Sequence, residues 1–159
     1  MAKFTRAELL EAFEDYKRRR DVASTTGDWS VWADCFTEDA RYIEHAYGEL
    51  HGREAIRAWI CDVMAPFPTM TFPITWLAVD EEAGAIVWEV RNAFPEPYQA
   101  SGAPYSFPNW SRLVYAGGSK WQSEEDVYNP ARDSGRTFKA WIKAGGKTRS
   151  GEKVKMAHR

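Results

Sequence analysis

The first apolar stripe along the chain falls at Phe4, Leu9, Leu10, Phe13 and Tyr16, the spacing of one helical face. Thr5-Arg6-Ala7-Glu8 carries the capping-box pattern, in which the threonine and glutamate side chains satisfy free amides of the first turn. Lys17-Arg18-Arg19-Arg20 follows in the later turns, where the helix dipole favours cations, so a helix is expected from Thr5 to about Ala23. Ser24-Thr25-Thr26-Gly27-Asp28 breaks the period. Asp28 then caps a short second helix through Trp29, Trp32, Ala33 and Phe36, which ends near Thr37-Glu38-Asp39. Ala40 to Tyr47 reads as a strand closed by a turn at Gly48. Gly52-Arg53-Glu54 opens a third helix, whose apolar positions Ile56, Trp59, Ile60 and Val63 repeat at helical spacing until Pro66 and Pro68 stop it.

From Thr71 the pattern is that of strands. Phe72 to Val79 leads through the turn Asp80–Gly84 to Ala85–Phe94, and a loop with Pro95, Pro97 and Pro104 follows. Phe107 to Ala116 pairs through Gly117-Gly118 with Lys120 to Tyr128 as a hairpin. A last helix, about Ser134 to Ala144, carries Phe138, Trp141 and Ile142 and ends at Gly145-Gly146. Helices followed by a meander predict an α+β domain in which a curved antiparallel sheet wraps around the N-terminal helices. The domain is expected to occupy residues 1–146, with a basic C-terminal tail over 147–159 that lacks fixed structure.

Composition sharpens this picture. At 159 residues the chain has the size of one domain, and 44% hydrophobic with 28% charged residues is ordinary for a globular protein. The aromatic share of 14%, with eight tryptophans, supplies both a core and a lined cavity. A net charge of −2 excludes a strongly basic nucleic-acid binder. The charge is divided, however. Nine Lys/Arg against Asp133 and Glu152 make residues 132–159 +7, which leaves the remaining 131 residues at −9. The basic end has no interleaved aromatics, so no nucleic-acid partner is expected. Cys35 and Cys61 form neither a disulfide framework nor a metal spacing, which favours a reducing, cytoplasmic setting. MAKFTRAELL predicts no signal peptide, and no apolar run is long enough for a membrane span.

No phosphate loop, nucleophile elbow or cofactor fingerprint is present, and His45, His51 and His158 lack partners at ligand spacing. The expectation is therefore no metal and no cofactor, with chemistry carried by side chains alone. In Ile86-Trp88-Val90-Asn92-Phe94, one strand face is apolar except for Asn92, which is either a hydrogen-bonded core amide or a donor in an apolar concavity. Asp126 ends the last strand with Glu124 and Tyr128 on the same face. These acids are either solvated edge charges or buried carboxylates of raised pKa, suited to acid–base work. Around Arg41–Ala46, Tyr42 and Glu44 share one face, and Ile43 and His45 the other.

The phrase Thr26-Gly27-Asp28-Trp29, then Phe36-Thr37-Glu38-Asp39-Ala40, then Gly52-Arg53-Glu54-Ala55-Ile56 resembles the SnoaL-like branch of the nuclear-transport-factor-2-like superfamily over about residues 8–142. That resemblance implies a cone-shaped α+β barrel, a fold that hosts cyclases, dehydratases, isomerases, epoxide hydrolases and non-catalytic binders. Against scytalone dehydratase, the Asp and His positions look like Ser24 or Thr25 and the Met70-Thr71-Phe72 stretch, so the Asp–His dyad is missing. Against limonene epoxide hydrolase, Tyr42 and Asp126 match its water-ordering tyrosine and aspartate, and Glu44 falls where it has an asparagine. Its Arg-x-Asp pair falls on Val90 and Asn92, or on Arg91 and Ala93, and is not kept.

The same alignment turns Tyr42 and Glu44 inward. It also places Trp110 and Arg112 inside, beside Glu124, Asp126 and Tyr128. The resemblance thus implies a cofactor-free lyase, isomerase or cyclase acting on a hydrophobic, aromatic or polycyclic small molecule. Asp126 or Glu44 is its base, with His45 as the alternative. Tyr42, Tyr128 or Asn92 donates to an oxyanion, and Arg112 keeps a carboxylate ionised. Trp88, Phe94, Trp110 and Glu124 contact the substrate. A binding or dimerisation module without activity is the other expectation, and a homodimer through the outer sheet face is common among such proteins.

Overall fold

A computed structural model of the chain describes residues 2–154. Helix α1 spans Arg6–Thr26, and the Thr5 hydroxyl caps it by accepting the Glu8 amide at 3.2 Å. Leu9, Phe13 and Tyr16 bury its inner stripe, and Arg20, one turn on, is carried inward with them. The helix runs past the expected end at Ala23. Instead of diverting the backbone, the Thr25 and Thr26 hydroxyls fold back onto the carbonyls of Asp21 and Val22. Gly27 then closes the helix at φ +79°, a left-handed cap.

The second expected helix is replaced by a single 3-10 turn, Trp32–Cys35, and strand β1 (Phe36–Glu44) already begins at Phe36. Thr37-Glu38-Asp39 therefore lies in a strand rather than at a helix end. Pairing of β1 with the last strand outweighs local helix propensity here. After it come β2 (Gly48–His51), α2 (Arg53–Met64), β3 (Ile74–Asp80) and β4 (Ala85–Ala93). The chain continues with β5 (Ser106–Gly117), β6 (Lys120–Val127) and α3 (Arg136–Lys143), the last entered through a π-helical turn at Pro130–Gly135.

The fold is α+β, and the sheet order is β2-β1-β6-β5-β4-β3. Strands β3 to β6 form the expected antiparallel meander. Strand β1, by contrast, joins β6 in parallel, so the sheet is mixed rather than wholly antiparallel. The sheet does not close into a barrel, because β2 and β3 remain its edges. Phe13 and Tyr16 of α1 meet Trp88 of β4 with ring centres 4.9 and 5.7 Å apart, which seats α1 on the inner face of the sheet. At the far end Trp141 of α3 stacks on Phe94 at 4.8 Å and donates its indole N–H to the Pro95 carbonyl at 2.9 Å. In the basic segment the Arg149 amide donates to the Pro66 carbonyl at 3.0 Å, and Val154 reaches the cavity described below. The tail's last five residues, 155–159, lie outside the described residues.

Candidate functional site

Alternation along β1 and β6 turns Tyr42, Glu44, Glu124 and Asp126 to the inner face, where all four are buried. The parallel register sets Tyr42 beside Glu124 and Glu44 beside Asp126. In the β5–β6 hairpin, Ser111 lies opposite Asp126, and Asn109 follows it inward on the same face. With Tyr16 and Arg20 of α1, these groups line a cavity of about 180 Å³, large enough to admit several water-sized molecules. Most of its remaining wall is aromatic or apolar, including Trp59 and Met64 of α2, Phe94 and Phe107 of the sheet, and Phe138 of α3.

Asp126 accepts hydrogen bonds from three side chains. Its Oδ2 accepts the Tyr42 hydroxyl at 2.6 Å, and its Oδ1 accepts the Asn109 amide at 2.8 Å and the Ser111 hydroxyl. Burial pushes its carboxyl above the ordinary value, against the pull of these three donors and of the Arg20 charge. Glu124 accepts the Tyr16 hydroxyl at 2.9 and 3.1 Å on its two oxygens. Burial, reinforced by the neighbouring Asp126, holds it well above the usual carboxylate range. Glu44 accepts the amides of Ala46 and Tyr47 at 2.7 and 2.8 Å and the Tyr128 hydroxyl, and burial raises it too. Desolvation, with the carboxylates alongside, keeps the Tyr16, Tyr42 and Tyr128 phenols protonated to high pH, so they act as donors. The arrangement combines an acid that hydrogen bonds favour as its anion, a neighbour that burial favours as its neutral form, and fixed hydroxyl donors. Among the described residues no group of three or more His, Cys, Asp or Glu side chains is placed to hold a metal ion.

The structure gathers Tyr42, Glu44, Asn92, Phe94, Glu124, Asp126 and Tyr128 around this one cavity. Four other expected residues lie elsewhere. Arg112 and Trp110 point outward from β5, with Trp110 52% exposed, because the inward positions of that strand are Asn109, Ser111 and Leu113. His45 stands on the outer face, where its Nε2 lies 2.9 Å from Glu125. It therefore faces away from the cavity. Trp88 is completely buried against Phe13 and Tyr16 and belongs to the core rather than to the cavity wall.

Among the polar residues of the cavity, sequence reasoning missed Tyr16, Arg20, Asn109 and Ser111. Hairpin counting finds the last of them: six positions back from Gly117 and six on from its partner Lys120 bring Ser111 opposite Asp126. Arg20 is signalled by its place one turn after Tyr16 on the buried stripe.

Fold and site together define an α+β cone domain with a row of buried acids facing an aromatic-walled cavity. The SnoaL-like domain profile matches residues 17–123, and the chain belongs to that family. No curated protein matches it in sequence.

Among solved structures, a candidate isomerase from Bacillus subtilis superposes with a TM-score of 0.64 at 15% identity, covering 86% of this chain and 96% of that one. A candidate SnoaL-like polyketide cyclase from Jannaschia sp. CCS1 gives 0.60 at 17% identity, covering 87% and 93%. SalBIII, an epoxide hydrolase/cyclase-like enzyme with a role in pyran ring formation in the polyether salinomycin, gives 0.61 at 15% identity, covering 81% and 95%. At these identities the likeness is one of fold.

Proposed function

We propose that the protein is a cofactor-independent acid–base enzyme of the lyase, isomerase or cyclase type, acting on an aromatic or polycyclic small molecule held in the cavity. The observation that carries this reading is the set of three buried carboxylates, Glu44, Glu124 and Asp126, facing one aromatic-walled space with tyrosine hydroxyls between them. Asp126 acts as the base and takes a proton from a carbon next to a carbonyl. The C–H electron pair moves onto the carbonyl oxygen, where Asn92 donates to the enolate, or Tyr128 once its hydroxyl turns from Glu44. Glu124, kept neutral by burial, returns a proton at the γ carbon of a β,γ-unsaturated substrate to complete an isomerisation; in a cyclisation the enolate carbon attacks a second carbonyl carbon of the same molecule, the π pair of that carbonyl moves onto its oxygen, and Glu124 protonates it. The names borne by the Jannaschia and SalBIII structures, a polyketide cyclase candidate and a ring-forming enzyme, support chemistry of this class.

The test is α-proton exchange of aromatic ketones such as 1-tetralone in heavy water, followed by NMR. The wild type is expected to catalyse exchange above the buffer rate, with an acid limb above the ordinary carboxylate range because burial raises Asp126. Asp126→Asn is expected to lower the rate about 100-fold or more. A variant that keeps the full rate removes Asp126 from the role of base.

One observation favours the second reading, a non-catalytic binding module: the oxygens of Asp126 and Glu124 are already occupied by protein donors. Ketones that bind without exchanging would decide for it. As partner we propose a second copy of this chain, docked through the outer sheet face, where Trp76 and Trp110 meet edge to face at 5.3 Å and are both exposed. A reducing, cytoplasmic setting accords with Cys35 and Cys61, which are both free.

A further inference from the structure

Among the described residues that line the cavity, Arg20 is the only lysine or arginine. It is 5% exposed. Its Nη2 donates to the Phe72 carbonyl at 3.1 Å, and its guanidinium carbon sits 5.8 and 5.4 Å from the ring centres of Tyr16 and Phe72. Its Nε is enclosed without a hydrogen-bond partner. Among the described residues no carboxylate lies within ion-pair distance of it; Glu124 and Asp126 feel its charge only from further away.

A guanidinium presents five donors in a rigid planar fork, and withdrawing that charge from water without an anion at contact is costly. The two flanking rings hold the fork in place before any ligand arrives, as a receptor for a planar anion requires. Serving Asp126 does not account for it. The oxygens of that carboxylate are already met at contact distance by Tyr42, Asn109 and Ser111.

We propose that Arg20 is the receptor for a carboxylate on the ligand, so that the molecules this cavity takes are aromatic or polycyclic carboxylic acids. The acid group lies against α1 and the reacting part of the molecule faces Asp126 on β6. This inference rests on the reading of the cavity as a small-molecule site. It also has a consequence for the chemistry. The ligand's negative charge inside the cavity raises the proton affinity of the nearby Asp126, which is a stronger base in the complex than in the free protein.

Titration calorimetry at neutral pH with 2-naphthoate and its neutral methyl ester separates the possibilities. The wild type is expected to bind the acid about tenfold or more tighter than the ester, the scale of a charge-assisted pair. In Arg20→Gln, checked as folded by circular dichroism, the ratio falls to about one, and Arg20→Lys keeps part of it. Equal affinity of the wild type for acid and ester overturns the carboxylate receptor and leaves the cavity reading intact, without recourse to any variant. An acid preference that survives in folded Arg20→Gln overturns it as well. If neither compound binds, the small-molecule reading of the cavity fails and takes this inference with it.

Discussion

Glu124 is 2% exposed on the inner face of β6, where the Tyr16 and Tyr42 hydroxyls and the more distant Arg20 charge favour its anion but do not offset its burial. The unfolded chain ionises this group near its ordinary value of 4.5, whereas the fold retains the proton to higher pH. The stability it contributes is therefore complete below about pH 4.5 and is lost as pH rises through the raised folded value. Urea denaturation across this range is expected to show the wild type losing stability relative to Glu124→Gln as pH rises, since an amide does not titrate. A gap that widens in the opposite direction would mean that Glu124 is buried as its anion. Residue-scale pattern made part of this site legible. Strict alternation in β6 places Glu124 and Asp126 on one face whatever lies around them. On β5 the alignment with limonene epoxide hydrolase put Trp110 and Arg112 inside, whereas alternation there runs in the other phase, with Asn109 and Ser111 inward and the Trp110 indole outside. Hydropathy marks the wrong face of a strand wherever function puts polar groups inside.

Among the elements, α3 depends on one glycine that follows it. A Cβ on Gly146 would lie 2.3 Å from the Trp141 ring, closer than any real contact, so the indole must move. Trp141 is 1% exposed, and it both stacks on Phe94 and holds the Pro95 carbonyl, which leaves it no free direction. Gly146→Ala is expected to cost about 1–3 kcal/mol of stability, the range for overpacking a tight core, measured by urea denaturation at a fixed pH. Unchanged stability would show that the C-terminal segment yields instead. Helices α1 and α2 and the four meander strands were readable from local period and caps. The 3-10 turn and the early start of β1 were not, because the partner that draws Phe36 into the sheet, Trp121, lies far along the chain.

For the whole molecule, the outer sheet face is the feature to explain. Trp110 donates its indole N–H to Glu89 at 2.8 Å, yet stays half exposed beside Trp76 and Val127. An apolar strip of this kind on a sheet favours association with another surface. Trp110→Glu is expected to shift the protein from dimer to monomer in sedimentation experiments without abolishing ligand binding on the opposite face. A wild type that sediments as a monomer at micromolar concentration removes the dimer. The α+β class and the cavity's location followed from element order and resemblance. The parallel join of β1 to β6 did not, since no short-range signal reports a pairing between strands so distant in sequence.

That join governs when the site comes into existence as the chain folds. Tyr42 and Asp126 touch at 2.6 Å although they stand 84 positions apart in sequence. The loop between them must close before either finds the other, and closure of that kind is slow compared with forming a hairpin or a helix. A chain emerging from the ribosome thus exposes α1, α2 and most of the meander before Tyr42 and Asp126 can meet. The reactive row is then assembled late, with α3, which brings Phe138 to the cavity wall, still to follow in the chain.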